Sequence, residues 1–538
     1  MNSKGNFIEV YATYSDIFGE KFDKDKLISM IYDLPLGGVI NILSMLNARE
    51  RSDTEIRARF YSFLKNSPNA DYIIQGLEGR TLYTSQGLLS IWKWLLTYGD
   101  FNKMNEWVDP DQGIFIVLYL HLILGDYLYS SESEENDDAI IYELFSNLNF
   151  NSQLDVYSAF GRACVIYDEI AKDTSNFSTN EYMDINLAFE NKYGYSIKEY
   201  LACLFSIVAT FDVAKQKIQS SGARDINYFK QFSNNVRIDE IMEQLSVNIN
   251  NAREWSIKNV ENSWNFQLFK EKPLIKLNNG FYLPFSLRFL HEQVYSQLFF
   301  KIRECFPKDD GQIISFIGRC FEKYVEIITE EALKVSNIKY ETIPEFRFKN
   351  DRSPDFMVRL GGKLLAVEAK NRRLKLDSII NRNQETIDSD VKNMIEEPIM
   401  QLHKCLKKLF ERKHQSVVGV DEIYLVVVTQ GSISTLPNFM KDIENHVFGE
   451  FEIPVKAIYH FDIEEYEYLL GIVGKKGAKP IFRILNDKTN LAPYVSFKNY
   501  LYMKSYINKR LAFIGDKFKH YTNIFENMLT GKTGDSGR

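Results

Sequence analysis

The stretch Ser353 to Lys370, SPDFMVRLGGKLLAVEAK, constrains this chain more than any other. Gly361-Gly362 separates two apolar runs, and a two-residue turn there needs the positive φ that glycine reaches freely. Closing the turn pairs Leu360 with Lys363 and, counting outward, Asp355 with Glu368. Side chains alternate along a strand, so Asp355, Glu368 and Lys370 share one face of the predicted hairpin. Phe356, Val358, Leu365 and Val367 share the other face and are expected in a core.

Two carboxylates opposite each other on adjacent strands have Cβ atoms roughly 5 Å apart and repel one another. A chain that places them so has a cation to bind, and hard oxygen donors with few preset angles suit Mg²⁺ or Mn²⁺. Lys370, two residues on from Glu368, is positioned to orient a metal-activated water or to neutralise charge developing on a phosphorus centre. Fragments of the pattern recur at Pro110-Asp111 and at Asp390-Val391-Lys392, but neither sits in a hairpin with its partner.

Pro354-Asp355 and Glu368-Ala369-Lys370 resemble the motif of the PD-(D/E)XK superfamily, the restriction-endonuclease-like nucleases, and the run 366–370 is similar to its central strand. The resemblance implies an α/β nuclease domain with a mixed central sheet flanked by helices. It also implies a metal held by the two acids, often with a carboxylate from the preceding helix and the carbonyl of the residue between Glu and Lys, here Ala369. For the helical carboxylate, Phe316 to Leu333 carries an apolar stripe with Glu322 at its edge. Gly318 and Phe321-Glu322 match what similar enzymes show there, which favours Glu322 over Glu326 one turn later. Catalytic roles are therefore expected for Asp355, Glu368, Lys370 and Glu322, and metal ligation for Asp355, Glu368, Glu322 and Ala369.

Arg372, Arg373 and Lys375 form a basic exit from the hairpin, suited to phosphates flanking the scissile one. Gln401, on a helix expected from about 390 to 413, weakly resembles a glutamine that some of these nucleases place beside the active site. A second nucleic-acid track, or else an amphipathic helix, is predicted for Tyr494 to Tyr521, where Lys498, Lys504, Lys509, Arg510, Lys517 and Lys519 stand against Asp516 alone. Gly531-Lys532-Thr533 lacks the upstream glycine of a phosphate loop, because position 526 is Glu. His121, inside an apolar helix, reads as a core residue.

A chain of 538 residues exceeds what one core can serve. Residues 1–275 carry 25 Lys+Arg against 38 Asp+Glu, whereas 276–538 carry 40 against 34, so a polyanion should dock on the second half. Three regions are expected: a mostly α-helical, acidic recognition or regulatory domain over 1–270, the nuclease-like domain over 271–490, and a basic-aromatic helix with a polar tail over 491–538. A hairpin is expected around Asn278-Asn279-Gly280, and Ser131 to Asp138 reads as a solvated acidic loop. The start lacks a signal-peptide pattern and the longest apolar run, Ile114 to Leu124, is too short to span a bilayer, so a soluble, cytoplasmic protein is expected. The five cysteines show no CxxC pair and read as reduced core residues.

The expected function is a Mg²⁺- or Mn²⁺-dependent endonuclease acting on nucleic acid, DNA above RNA. By analogy of architecture it would serve in prokaryotic restriction or anti-phage defence. A homodimer, or a partner protein bound through the helical region, fits that reading. The alternatives are a catalytically silent nucleic-acid-binding scaffold that retains the fold, and a regulatory interaction protein.

Overall fold

The computed structural model describes residues 11–48, 54–65, 69–128, 144–145, 149–150, 155–212, 222–233, 236–381, 383–433, 437–475, 479–492, 495–506 and 510–531. It is a mixed α/β structure with a largely helical portion, in two compact units. One is drawn from 138–198 and 298–523, the other from 6–137, 199–297 and 524–538. The contacts group the chain by segments rather than at single boundaries such as those expected near 270 and 490. Charge windows follow the chain in order, whereas packing here interleaves its segments.

The second unit is built on apolar helices, among them Leu36–Leu46, Ser85–Tyr98 and Pro110–Gly125. The expected hairpin exists: Leu274–Lys276 pairs antiparallel with Tyr282–Pro284, and Gly280 supplies a φ of 81° in the turn. It belongs to this helical unit, where Ser246–Asn248 adds a parallel third strand, and not to the α/β unit as expected. His121 is fully buried, its Nε2 accepting from the Thr84 N–H at 2.9 Å, and burial pushes its imidazole down to about 3. Among the described residues no single helix is long and apolar enough to cross a membrane. The acidic stretch Ser131 to Asp138 lies outside the described residues.

The first unit centres on a five-stranded sheet: β1 (Glu341–Pro344), β2 (Phe356–Leu360), β3 (Lys363–Lys370), β4 (Glu422–Thr429) and β5 (Val455–Asp462). Spatial order is β5-β4-β3-β2-β1, antiparallel between β1, β2 and β3 and parallel from β3 through β5. The antiparallel half follows from the tight turn, with Gly361 at φ 62°. The parallel half requires a crossover, supplied by helical segments that include α1 (Glu397–Glu411).

On one face Met357, Leu364, Ala366, Leu425 and Val427 pack against Ile395, Leu402 and Leu406 in a single core. The other face, with Phe356, Val358, Leu365 and Val367, is equally buried. Helices Gln312–Val335 and Ile463–Val473 pack on the sheet and on each other. With both faces covered, β3 and β4 read as near-continuous apolar runs. The cysteines are free, but only Cys164, Cys203 and Cys320 are buried; Cys305 and Cys405 are partly exposed, contrary to the core expectation.

Candidate active site

The register of β2 on β3 is the one the turn dictates, from Leu360↔Lys363 to Phe356↔Val367. Asp355 stands one residue beyond that ladder, and its Oδ2 accepts from the Ala369 N–H at 2.8 Å. The side chain thus takes a main-chain donor at the end of β3, which fixes the carboxylate beside the strand. Glu368, only 4% exposed, lies in β3 itself, and Lys370 Nζ donates to its Oε1 at 2.6 Å. From helix Gln312–Val335, Glu322 enters the same cleft, paired with Arg319 Nη1 at 2.5 Å. Glu326 instead pairs with Lys323 and does not line the cleft.

The cleft has a volume of about 950 Å³ and is lined by Glu322, Asp355, Glu368, Ala369, Lys370, Arg372 and Gln401 together. Four separate segments of sequence therefore converge within one unit. Burial pushes the Glu368 carboxyl up to about 8, the Asp355 charge adds to this, and the Lys370 ammonium opposes it. Burial likewise pushes Asp355 up to about 6, against the pull of the Ala369 N–H and Lys370. Glu322 rises to about 7 through burial and the charge of Asp355, with Arg319 opposing. Burial disfavours the charge of Lys370, but Glu368 and Asp355 outweigh it and raise its pKa, so it remains an ammonium. Burial together with the charge of Asp355 on Glu322 and Glu368, and of Glu345 on Asp355, makes this a place where positive charge is undersupplied.

Two of the expected basic contacts lie elsewhere. Arg373 turns away from the cleft, its guanidinium 3.8 Å from the ring centre of Phe299 and 5.6 Å from that of Phe300. It follows Arg372 directly, and neighbouring residues leaving a strand point opposite ways. Lys375 Nζ lies 3.6 Å from Asp390 Oδ1, and Asp390 Oδ2 also accepts from the Lys375 N–H and the Ser378 hydroxyl at 2.8 and 2.7 Å. Asp390, expected to be an inert copy of the acid-x-Lys pattern, is buried and organises the exit from β3.

Four of the basic residues expected to form a track over Tyr494 to Tyr521 are held in ion pairs. Lys498 meets Glu464 at 2.8 Å, Arg510 meets Asp155 at 2.5 Å and Lys517 meets Glu169 at 2.6 Å, while Lys504 stands 3.9 Å from Asp487. Tyr494 and Lys509 lie outside the described residues. The cleft also contains charged residues that sequence reasoning passed over: Glu181, Arg319, Glu345 and Arg352. The signal for Arg319 was present in the Gly318-Arg319-Cys320-Phe321-Glu322 run; Glu345 and Arg352 carried none.

Among the described residues no three His, Cys, Asp or Glu side chains are disposed to hold a metal ion as they stand. Glu322 and Glu368 are turned onto Arg319 and Lys370 instead. No family model, no curated protein and no solved structure matched the chain in comparisons with known proteins.

Proposed function

We propose that the cleft hydrolyses phosphodiester bonds of nucleic acid, with DNA as substrate and Mg²⁺ or Mn²⁺ as cofactor. The observation that carries this reading is the convergence of Asp355, Glu368 and Glu322 with Lys370 in one open cleft, their proton affinities raised by burial and by neighbouring carboxylates. The PD-(D/E)XK resemblance of the hairpin and the mixed sheet flanked by helices support it. Binding by a silent scaffold would not need opposed carboxylates kept at such cost.

The donor set fits a hard divalent cation. Asp355, Glu368 and Glu322 offer only oxygen, and a positive ion among them removes the mutual repulsion that holds their protons. When bound there, the ion supplies the Lewis acid that draws charge from the phosphate. Asp355 is already fixed by the Ala369 N–H, whereas Glu322 and Glu368 would exchange their present cationic partners for the ion. Lys370, held protonated, cannot act as a general base; released from Glu368, its ammonium donates to the oxygen on which charge accumulates. Arg372 and Gln401 line the approach and hold the chain of phosphates and sugars on either side.

Incubation of the purified protein with plasmid, linear duplex, single-stranded DNA and RNA tests the reading, each with Mg²⁺, Mn²⁺ or EDTA. Cutting of a DNA substrate that EDTA abolishes is the expected result. Binding without cutting under every metal condition would favour the scaffold.

A further inference from the structure

Arg319 and Arg352 face the cleft from two separate segments, and one carboxylate lies between them. Arg319 Nη1 is 3.4 Å from Glu345 Oε2, and Arg352 Nη1 is 3.4 Å from Glu345 Oε1. Neither contact is a close, two-pronged pair of the strong kind. The two guanidinium groups therefore share a single acid and keep N–H donors to spare; the side chains are 28% and 43% exposed.

The main chain beneath them is held firmly. Ser353 N donates to Phe346 O at 2.9 Å and Phe346 N to Ser353 Oγ at 2.8 Å, which closes the small hairpin 347–352 and sets Glu345 beside Arg352. Helix α1 grips the same hairpin: Cys405 Sγ donates to Arg352 O at 2.9 Å, and Lys408 and Arg412 pair with Asp351. Asp351 is thus tied to the helix, while the Arg352 side chain reaches into the cleft.

Charge decides what the row can do. With Glu322 on Arg319 and Glu345 shared, two cations stand against two anions. Once Glu322 turns to another cation, Arg319 and Arg352 share Glu345, and the exposed Glu181 nearby is met by Arg347 as well as by Arg319, so three guanidinium groups stand against two carboxylates and the planar forks of Arg319 and Arg352 face the cleft. From this we infer that Arg319 and Arg352, spaced by Glu345, bind a non-scissile phosphate of the nucleic-acid strand. They lie on the flank of the site formed by helix Gln312–Val335 and the 347–352 hairpin, in addition to Arg372 at the end of β3. The inference rests on reading the carboxylate cluster as a phosphodiesterase centre.

Arg352→Gln is the discriminating variant, because Arg352 touches neither Glu322 nor the acids of the hairpin and its exposed ion pair contributes little to folding. Binding of a short fluorescein-labelled DNA duplex should weaken about tenfold, and the slope of log affinity against log salt should fall by roughly one. Duplexes carrying a neutral methylphosphonate at successive positions beside the cut should show one position that costs the wild type a similar factor. That position should cost Arg352→Gln nothing further, since the same contact is already gone. Unchanged affinity and slope in a variant as stable as wild type, while wild type cuts and Glu368→Ala does not, overturn this inference alone. Fully additive losses at every methylphosphonate position do the same. A wild type with no metal-dependent cutting overturns the phosphodiesterase reading and this inference with it.

Discussion

Glu368→Gln, studied in EDTA, isolates what the buried carboxyl costs the metal-free fold. Glu368 is 4% exposed, and burial followed by the Asp355 charge pushes its carboxyl from the ordinary 4.5 up to about 8. A carboxyl raised in the folded state binds its proton more tightly there than in the unfolded chain. Its stabilising contribution is therefore complete below about pH 4.5 and is lost progressively as pH rises through about 8. From pH 4.5 to pH 7 the loss is on the order of 3 kcal/mol, at about 1.4 kcal/mol for each pH unit. Glutamine keeps the shape, still accepts a hydrogen bond from Lys370 and has no proton to hold. At pH 7 the variant should exceed wild type by about 1 to 3 kcal/mol, and at pH 4.5 the difference should vanish. Urea denaturation followed by circular dichroism reads this directly. Tryptophan fluorescence does not, because all five tryptophans, Trp92, Trp94, Trp107, Trp255 and Trp264, lie in the other unit. A variant less stable than wild type at pH 7, or one whose difference is equal at both pH values, refutes the reasoning.

Millimolar Mn²⁺ or Mg²⁺ should raise the denaturation midpoint of wild type by mass action and leave Glu368→Gln nearly unmoved; an equal rise in both would place the ion elsewhere. Asp390→Ala should cost about 1 to 3 kcal/mol, because it strands the Lys375 N–H and the Ser378 hydroxyl, and a variant as stable as wild type in urea would show that water replaces the acid without cost. Arg372→Ala should weaken DNA binding and lower the salt slope by roughly one, whereas Arg373→Ala should lose stability through its packing on Phe299 with the slope unchanged. Fluorescence anisotropy across a salt series separates the two, and a lowered slope for Arg373→Ala would contradict its inward placement.

The hairpin was legible because its register is set locally: a two-glycine turn fixes the pairs beside it, and the five observed pairs are the counted ones, with Asp355 just beyond the last. The strands β4 and β5 were legible for a related reason, as apolar runs long enough to cross a sheet covered on both faces. Glu322 could be placed because helical spacing puts it at the edge of an apolar stripe. What failed was anything decided by contacts distant in sequence. The Glu345 to Arg352 juxtaposition arises in a hairpin of two-residue strands, below the length at which alternation carries a signal, turned by Lys349 at φ 58°. Arg372 and Arg373 looked like one basic patch, yet a ring supplied by Phe299 draws the second inward. Lys498, Lys504, Arg510 and Lys517 read as free in sequence because the acids that bind them come from 155–169 and 462–487. The grouping of 138–198 with 298–523 in one unit rests on the same kind of distant contact, which a reading in chain order does not show.

The central claim, that Asp355, Glu368, Glu322 and Lys370 form a metal-dependent phosphodiesterase site, is tested most directly by DNA cleavage with Glu368→Ala and Lys370→Ala beside wild type. The assay is run in Mn²⁺ or Mg²⁺ with circular dichroism confirming that each variant is folded. Wild type should cut, and each variant should lose cutting by a factor of at least about 10², the scale seen when a group that stabilises developing charge is removed. Full cutting by either folded variant would contradict the assignment.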